Sequence, residues 1–479
     1  MTETFQSLTT RFLWIGFVRL HPLFLSLALA HTQLTARLSI VGSLITTTGE
    51  MAVISRKRKK EQRWSLRVIF MFLVCSAFMM VLLTTQVDDG SGSVVAGDEG
   101  EEKHALKAPS SLFRQQQQPF EFQDPLELLG AEAVLKMNPI VGKHRPDSDA
   151  VFGFASGAKL PELLRWVGTL VDTGYDGDIV LGVNKEHELD DETLSFLRYH
   201  AQHHHLVAYP AELVCKKVKM RTRCKVYKMF LHRSIGGYLP DPRPFREVNQ
   251  LRFDYYWAWS TLYTDQSRIF LLDTHDVYFQ SNPFDKVPTD MVDTLMTFQE
   301  NPIKKMEDDI ENKIWQQEKH EIRWVRRLGR KTILVASAVV GGQPAVETYC
   351  RAMMEDFELT ECQVYGCEQG NHNYLFWSSR LKKADTINQL VMAEQGKSAV
   401  NTLRILIKYA GSSLKDIGTV NDHDQVVNID GEPSPVVHQY ETDPYLNKVV
   451  ARLANDQREK WTQIYQAIQQ NNNTTTSPN

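Results

Sequence analysis

An α/β fold with a mostly parallel, doubly wound sheet is predicted from three observations. Between residues 150 and 210, short apolar runs alternate with amphipathic stretches at helical spacing, the pattern of a layered sheet with helices on its faces. The run Ile269 to Leu272 then stops abruptly at Asp273, His275 and Asp276 before a turn at Asn282 and Pro283. A buried strand that delivers polar groups at its end reads this way. A third apolar segment, Thr332 to Val340, closes on Gly341 and Gly342.

The elements follow in order. Val151 to Phe154 is a short strand and Ala155 to Gly157 a tight turn. Pro161 suits the first turn of a helix whose Leu160, Leu163, Leu164, Val167, Leu170 and Val171 form one face. Asp178 to Val183 is the next strand, Glu192 to His203 a second helix, and Leu206 to Tyr209 a third strand. This order is that of the nucleotide-binding half of a doubly wound sheet. Phe245 to Tyr263 is an aromatic-rich helix, read as core rather than as a sugar platform. Residues 307–330 are charged, helical and exposed, and Val346 to Phe357 is a helix. Leu381 to Asp416 reads as polar and helical, and strand and turn return between Gly418 and Tyr440. His203, His204 and His205 are consecutive, so they converge poorly on one ion and read as loop polarity.

At 479 residues with net charge −4, the chain is no polycation, which argues against a nucleic-acid partner. Residues 56–60 are all basic, and after Arg67 no charge occurs from Val68 to Thr85. That is long enough for one membrane span, at about 18 residues. The basic cluster in front places the N-terminus in the cytosol and the bulk of the chain in the lumen. The expected organisation is a cytosolic segment over 1–63 and a signal anchor over 64–85. Residues 1–50 read alternatively as an upstream extension of the reading frame. A disordered stem over 86–147, a catalytic domain over 148–465 and a disordered tail over 466–479 follow. Golgi or endoplasmic reticulum membrane is the expected location. Six cysteines are too few for a disulfide scaffold. In an oxidising lumen, however, Cys215 and Cys224 are expected to close a basic hairpin. Two of Cys350, Cys362 and Cys367 form a second bridge, the pair left open.

Taken together, four segments resemble the GT-A nucleotide-sugar glycosyltransferases, nearest the glycogenin and galactosyltransferase-like group, over roughly residues 148–445. Phe154, Ala155, Ser156 and Gly157 look like the family's nucleotide-contacting turn. Asp273 to Asp276 resembles its acidic metal motif. Gly341 and Gly342 stand where the family has a small-residue turn beside the donor sugar. Glu368, Gln369 and Asn373 resemble its Asp-Gln-Gly-x-x-Asn element.

The resemblance implies a Rossmann-like GT-A domain, a nucleotide-diphosphate sugar donor, a glycan or glycoprotein acceptor and Mn²⁺ or Mg²⁺ as cofactor. It further implies that Glu368 and Gln369 are catalytic, with Asn373 near the donor. The metal ligands would be drawn from Asp273, His275, Asp276 and His438. The motif departs from Asp-x-Asp. Along an extended strand Asp273 and His275 share a face; if the chain turns after Leu272, Asp276 joins the two. His438 lacks the Gly and Lys companions usual in the family, and Glu368 stands where Asp is commoner. Two rivals share parts of the pattern: a phosphatase of the haloacid-dehalogenase type, and an inactive lumenal glycan-binding protein.

Overall fold

The computed structural model describes residues 124–475, apart from 219–220, 318–321, 363–364 and 411–412. The expected signal anchor, the N-terminal segment and most of the stem lie outside the described residues. No helix among the described residues is long and apolar enough to cross a membrane.

A seven-stranded sheet runs in the order Gln389–Ala393, Thr294–Gln299, Leu334–Gly342, Arg268–Leu272, Ala150–Phe154, Asp178–Val183 and Leu206–Pro210. Leu334–Gly342 is antiparallel to both of its neighbours, and the other pairings are parallel. The central strands are buried along almost their whole length, which explains why they read as continuous apolar runs rather than as alternating ones.

Helices cover both faces. On one side Val248–Ser260 and Gln343–Leu359 pack over a core containing Phe152, Trp259, Tyr256 and Tyr349. On the other, Leu160–Asp172 and Asp191–His203 enclose Val151, Trp166, Leu181 and Phe270 with Trp461 of the last helix. The first of these helices has its proline at the start, as expected, and Asp190 caps the second by accepting from Thr193 N at 2.7 Å. A small second sheet joins Val277–Phe279, Val436–His438 and Val400–Thr402.

Three expectations are corrected. Residues 124–147, read as stem, belong to the folded body. Ala133–Leu135 pairs with Phe230–His232, Leu126 and Leu129 pack on the core, and Arg145 Nε meets buried Asp178 at 2.8 Å. The stretch 381–416 is not mainly helical, since it supplies the strands Gln389–Ala393 and Val400–Thr402; pairing with neighbours overrode its weak local preference. The last helix, Pro444–Thr475, runs well into the segment read as a disordered tail.

Both expected disulfides are present. Cys215 joins Cys224, and the second bridge is Cys362–Cys367, which leaves Cys350 as a buried free thiol.

Candidate active site

The strand Arg268–Leu272 ends at Leu272, and the chain turns at once. Helix Leu160–Asp172 holds the turn: Trp166 Nε1 donates to the Asp273 carbonyl at 3.0 Å, and Arg165 donates to the carbonyls of Thr274 and His275. From the neighbouring strand, Phe154 accepts from Thr274 Oγ1 at 3.1 Å. Gly153 permits this approach, because a Cβ there would lie 2.6 Å from Thr274 Cγ2.

Turning in this way brings Asp273 and Asp276 together and leaves His275 exposed at the border of the pocket. The His275 side chain is 82% exposed and meets Glu162 at 3.2 Å. The pairing of Asp273 with His275, which an extended strand requires, is therefore corrected. Asp276 takes the place of His275 because the strand's two-residue alternation ends one residue earlier.

His438 arrives through the second sheet, where it stands opposite Val277, the residue after Asp276. Its Nε2 lies 3.5 Å from Asp276 Oδ1 and 3.1 Å from Ser337 Oγ, and Thr402 Oγ1 is 3.4 Å from Nδ1. One donor atom each from Asp273, Asp276 and His438 lies within 4.8 Å of the other two. Asp276 Oδ1 is buried and has no hydrogen-bond partner. Burial pushes its carboxyl upward, against the pull of His438. A buried, unbonded carboxylate is costly unless a cation meets it, and two carboxylates with an imidazole suit Mn²⁺ or Mg²⁺ better than a softer metal. The residues present therefore fit a divalent ion.

Asp273 and Asp276 border a pocket of about 630 Å³ that is also lined by Phe154, Ala155, Ser156, Gly157, Glu368 and Gln369. Gly157 adopts φ +91° and donates its N–H to Asn184 Oδ1 at 2.6 Å, which fixes the turn. Helix Cys367–Trp377 carries Glu368 and Gln369 on its first turn. Burial raises the Glu368 pKa, opposed by the positive charge of Arg252. Gln369 uses both ends of its amide: Oε1 accepts from Ala336 N at 2.8 Å and Nε2 donates to Glu300 at 3.2 Å.

Three further expected site residues lie elsewhere. Asn373 is completely buried, accepting from Leu334 N at 2.9 Å and donating to the carbonyls of Leu334 and Gln369 at 2.8 Å. It fastens the helix to the sheet and does not reach the pocket. Gly341 and Gly342 stand at the opposite edge of the sheet, paired with Ile269 and Arg268. Their strand runs antiparallel, so its beginning, Val335 to Ser337, borders the pocket instead. The glycines admit a neighbouring backbone: a Cβ on Gly342 would lie 2.3 Å from Met291 O.

No family model and no curated protein sequence matches the chain. Solved structures do resemble it. The galactosyltransferase LgtC, in complex with donor and acceptor sugar analogues, shares 10% identity over 64% of this chain and 95% of its own, with a TM-score of 0.37. The bifunctional glycosyltransferase WbbM, in its apo structure, shares 10% identity over 63% of this chain and 47% of its own, with a TM-score of 0.36. The apo-form glycosyltransferase GlyE of Streptococcus pneumoniae TIGR4 shares 12% over 67% and 63%, with a TM-score of 0.37. Overlaps this loose assign no residue a role, and the chemistry has to be read from the site itself.

Several lining residues escaped the sequence reading. Arg252 reaches from the aromatic helix to an ion pair with Asp273. Its signal was present, since an arginine set among buried aromatics needs a partner. Glu300 follows the strand Thr294–Gln299 directly and is buried, its carboxyl pushed up to about 7 by burial and by Asp309. Arg404, Trp315 and Ser337 also line the pocket, and nothing local in the sequence marks them.

Proposed function

We propose that the chain is a glycosyltransferase that moves a hexose or pentose from a nucleotide-diphosphate sugar to a glycan or glycoprotein acceptor. The observation that carries this reading is the convergence of Asp273, Asp276 and His438 beside a deep pocket at the edge where the parallel strands end. Ligands of open α/β sheets bind at that edge.

In this reading Asp273, Asp276 and His438 hold Mn²⁺ or Mg²⁺. A divalent ion bound there supplies Lewis-acid stabilisation of the departing diphosphate. Phe154 to Gly157 cradle the nucleotide. Arg252 brings a guanidinium beside Asp273, within reach of a phosphate oxygen. Glu368 offers a carboxylate against the positive charge that develops at the sugar carbon, or as base toward the acceptor hydroxyl. Gln369 positions Glu300, whose carboxyl is free to accept a hydroxyl of the sugar.

The same reading places the catalytic body on the lumenal side of a Golgi or endoplasmic reticulum membrane, anchored by residues 64–85 as a single type II span. The basic cluster Arg56 to Lys60 and the two disulfides support it. Protease treatment of intact microsomes should spare the region 150–440 until detergent is added.

The deciding assay incubates the full-length protein with a panel of nucleotide sugars, with Mn²⁺ and with excess chelator. Release of nucleoside diphosphate from one donor, dependent on the metal, is the expected result. Preference for phosphomonoesters, or no turnover of any donor, would defeat the proposal. The Arg252–Asp273 ion pair favours one variant of it, in which the guanidinium alone neutralises the diphosphate; undiminished turnover in chelator would select that variant.

A further inference from the structure

The hairpin Leu213–Val218 and Arg221–Val226 is closed by Cys215–Cys224. Its register places Lys216 opposite Arg223, Val218 opposite Arg221 and Val214 opposite Lys225. Side chains alternate along a strand, so Lys216, Arg221, Arg223 and Lys225 share one face and Lys217 lies on the other.

Like charges directly opposite each other destabilise a sheet. Here such a pair, Lys216 with Arg223, sits one step from the disulfide, which holds the strands in register against the repulsion. Arg221 meets Glu247 at 3.0 Å. Lys216 Nζ instead lies 3.9 Å above the Phe245 ring, and Lys225 Nζ lies 5.1 Å from the same ring while donating to the Asp241 carbonyl at 3.0 Å. Two ammonium groups are thus held on one aromatic face with neutral partners.

The chain leads from this face to the pocket wall through Glu247, which Arg221 meets. Cys224 is bridged to Arg246, and Glu247 directly precedes Val248 and Asn249, which line the pocket wall. Glu247 is near enough for its charge to act on Glu368.

We propose that this face binds an anionic group, carboxylate or sulfate ester, on the acceptor saccharide as it leaves the pocket. The hairpin then selects acidic glycans as acceptors. The inference rests on the transferase reading above and adds the acceptor's chemical class. Charge concentrated beside a reaction site raises the local concentration of a complementary substrate and makes its binding salt-dependent.

The test measures equilibrium binding of the full-length protein to three hexasaccharides, from hyaluronan (carboxylate only), chondroitin sulfate (carboxylate and sulfate) and chitin (neutral). Vesicles containing phosphatidylserine form a fourth arm, and donor hydrolysis is followed in the same preparations. We expect both acidic hexasaccharides, or the sulfated one alone, to bind, more weakly as salt rises, and the chitin hexasaccharide to bind least. Lys216→Ser should weaken acidic-glycan binding about fivefold, as befits one solvated ion contact. Lys217→Ser removes the same charge from the opposite face and should leave binding unchanged. Donor hydrolysis should be the same in both variants. Equal binding of neutral and acidic chains, equal effects of the two substitutions, or binding to vesicles alone would overturn the proposal. Charge-selective binding by a protein that hydrolyses no donor would support the hairpin site and defeat the transferase reading.

Discussion

Two of the acid-bearing segments that border the pocket are built on different principles. The turn Asp273–Asp276 follows a buried strand; Arg165 and Trp166 pin its backbone carbonyls, and the Phe154 carbonyl accepts from its Thr274 hydroxyl. The segment Glu368–Asn373 is helical, and the helix divides it. Its first residues face the pocket, while Asn371, His372 and Asn373 are buried among Thr360, Thr297, Tyr349 and Leu334. In the turn, two acids three apart converge on one point. In the helix, residues five apart face different surroundings, Glu368 the pocket and Asn373 the sheet. Spacing alone therefore says little about shared function until the backbone conformation between the residues is known.

The comparison breaks most visibly at Asp276. Asp276→Asn keeps the shape and removes the buried charge, so metal-dependent donor turnover should fall at least about 100-fold, a loss of several kcal/mol in charge stabilisation. The protein should still fold, because Asp276 Oδ1 has no hydrogen bond to lose. Turnover near the wild-type rate in Mn²⁺ would remove the metal site from the mechanism.

Within the helix the two ends should separate. Glu368→Gln is expected to slow transfer about 100-fold, the scale of general acid–base catalysis, with the melting temperature unchanged or slightly higher. Asn373→Ala should do the reverse. It strips partners from the buried Leu334 backbone and should cost roughly 2–4 kcal/mol of stability, with kcat per folded molecule retained. Thermal melts and kinetics on both variants check the division, and a catalytic defect at Asn373 in fully folded protein would erase it.

A pH measurement extends the test to another carboxyl of the pocket. Burial holds Glu300 up at about 7 from an ordinary 4.5, so the folded state binds the proton more tightly than the unfolded chain. Stability from this group is present below about 4.5 and is lost as pH rises through about 7, amounting to roughly 3 kcal/mol over the window. Asp356, also raised to about 7 by burial, acts in the same direction. Denaturant titrations of wild type and Glu300→Gln between these limits should differ in slope, with the variant flatter. Parallel curves would mean that Glu300 titrates normally.

The smallest effect belongs to His275. Its imidazole is exposed and meets Glu162, and it is not among the three groups that converge on one point, so His275→Ala should change turnover less than about twofold, as for surface positions. A large loss would return this residue to the metal site and require a different turn.

Much of the plan was legible from local chemistry. Uninterrupted apolar runs marked strands buried on both faces, as in Asp178–Val183, and the proline at the start of Leu160–Asp172 marked that helix. The abrupt passage from Leu272 to Asp273 located the ligand edge of the sheet. The strand hidden in Gln389–Ala393 was not legible, because its place depends on the neighbour Thr294–Gln299 it pairs with.

By itself, then, the sequence determined which segments are strands and helices in the first half of the domain, where the acids fall and which nine-residue spacing closes the hairpin. These are matters of period, apolar run and short-range contact, all of which lie in consecutive residues. Only the tertiary structure decided that Asp276 and His438 join Asp273, that Arg252 and Glu300 enter the pocket, and that Gly341 and Gly342 leave it. The last follows from strand direction: one antiparallel strand among parallel ones exchanges its two ends between the edges of the sheet, and strand direction is a property of pairing partners far apart in the chain.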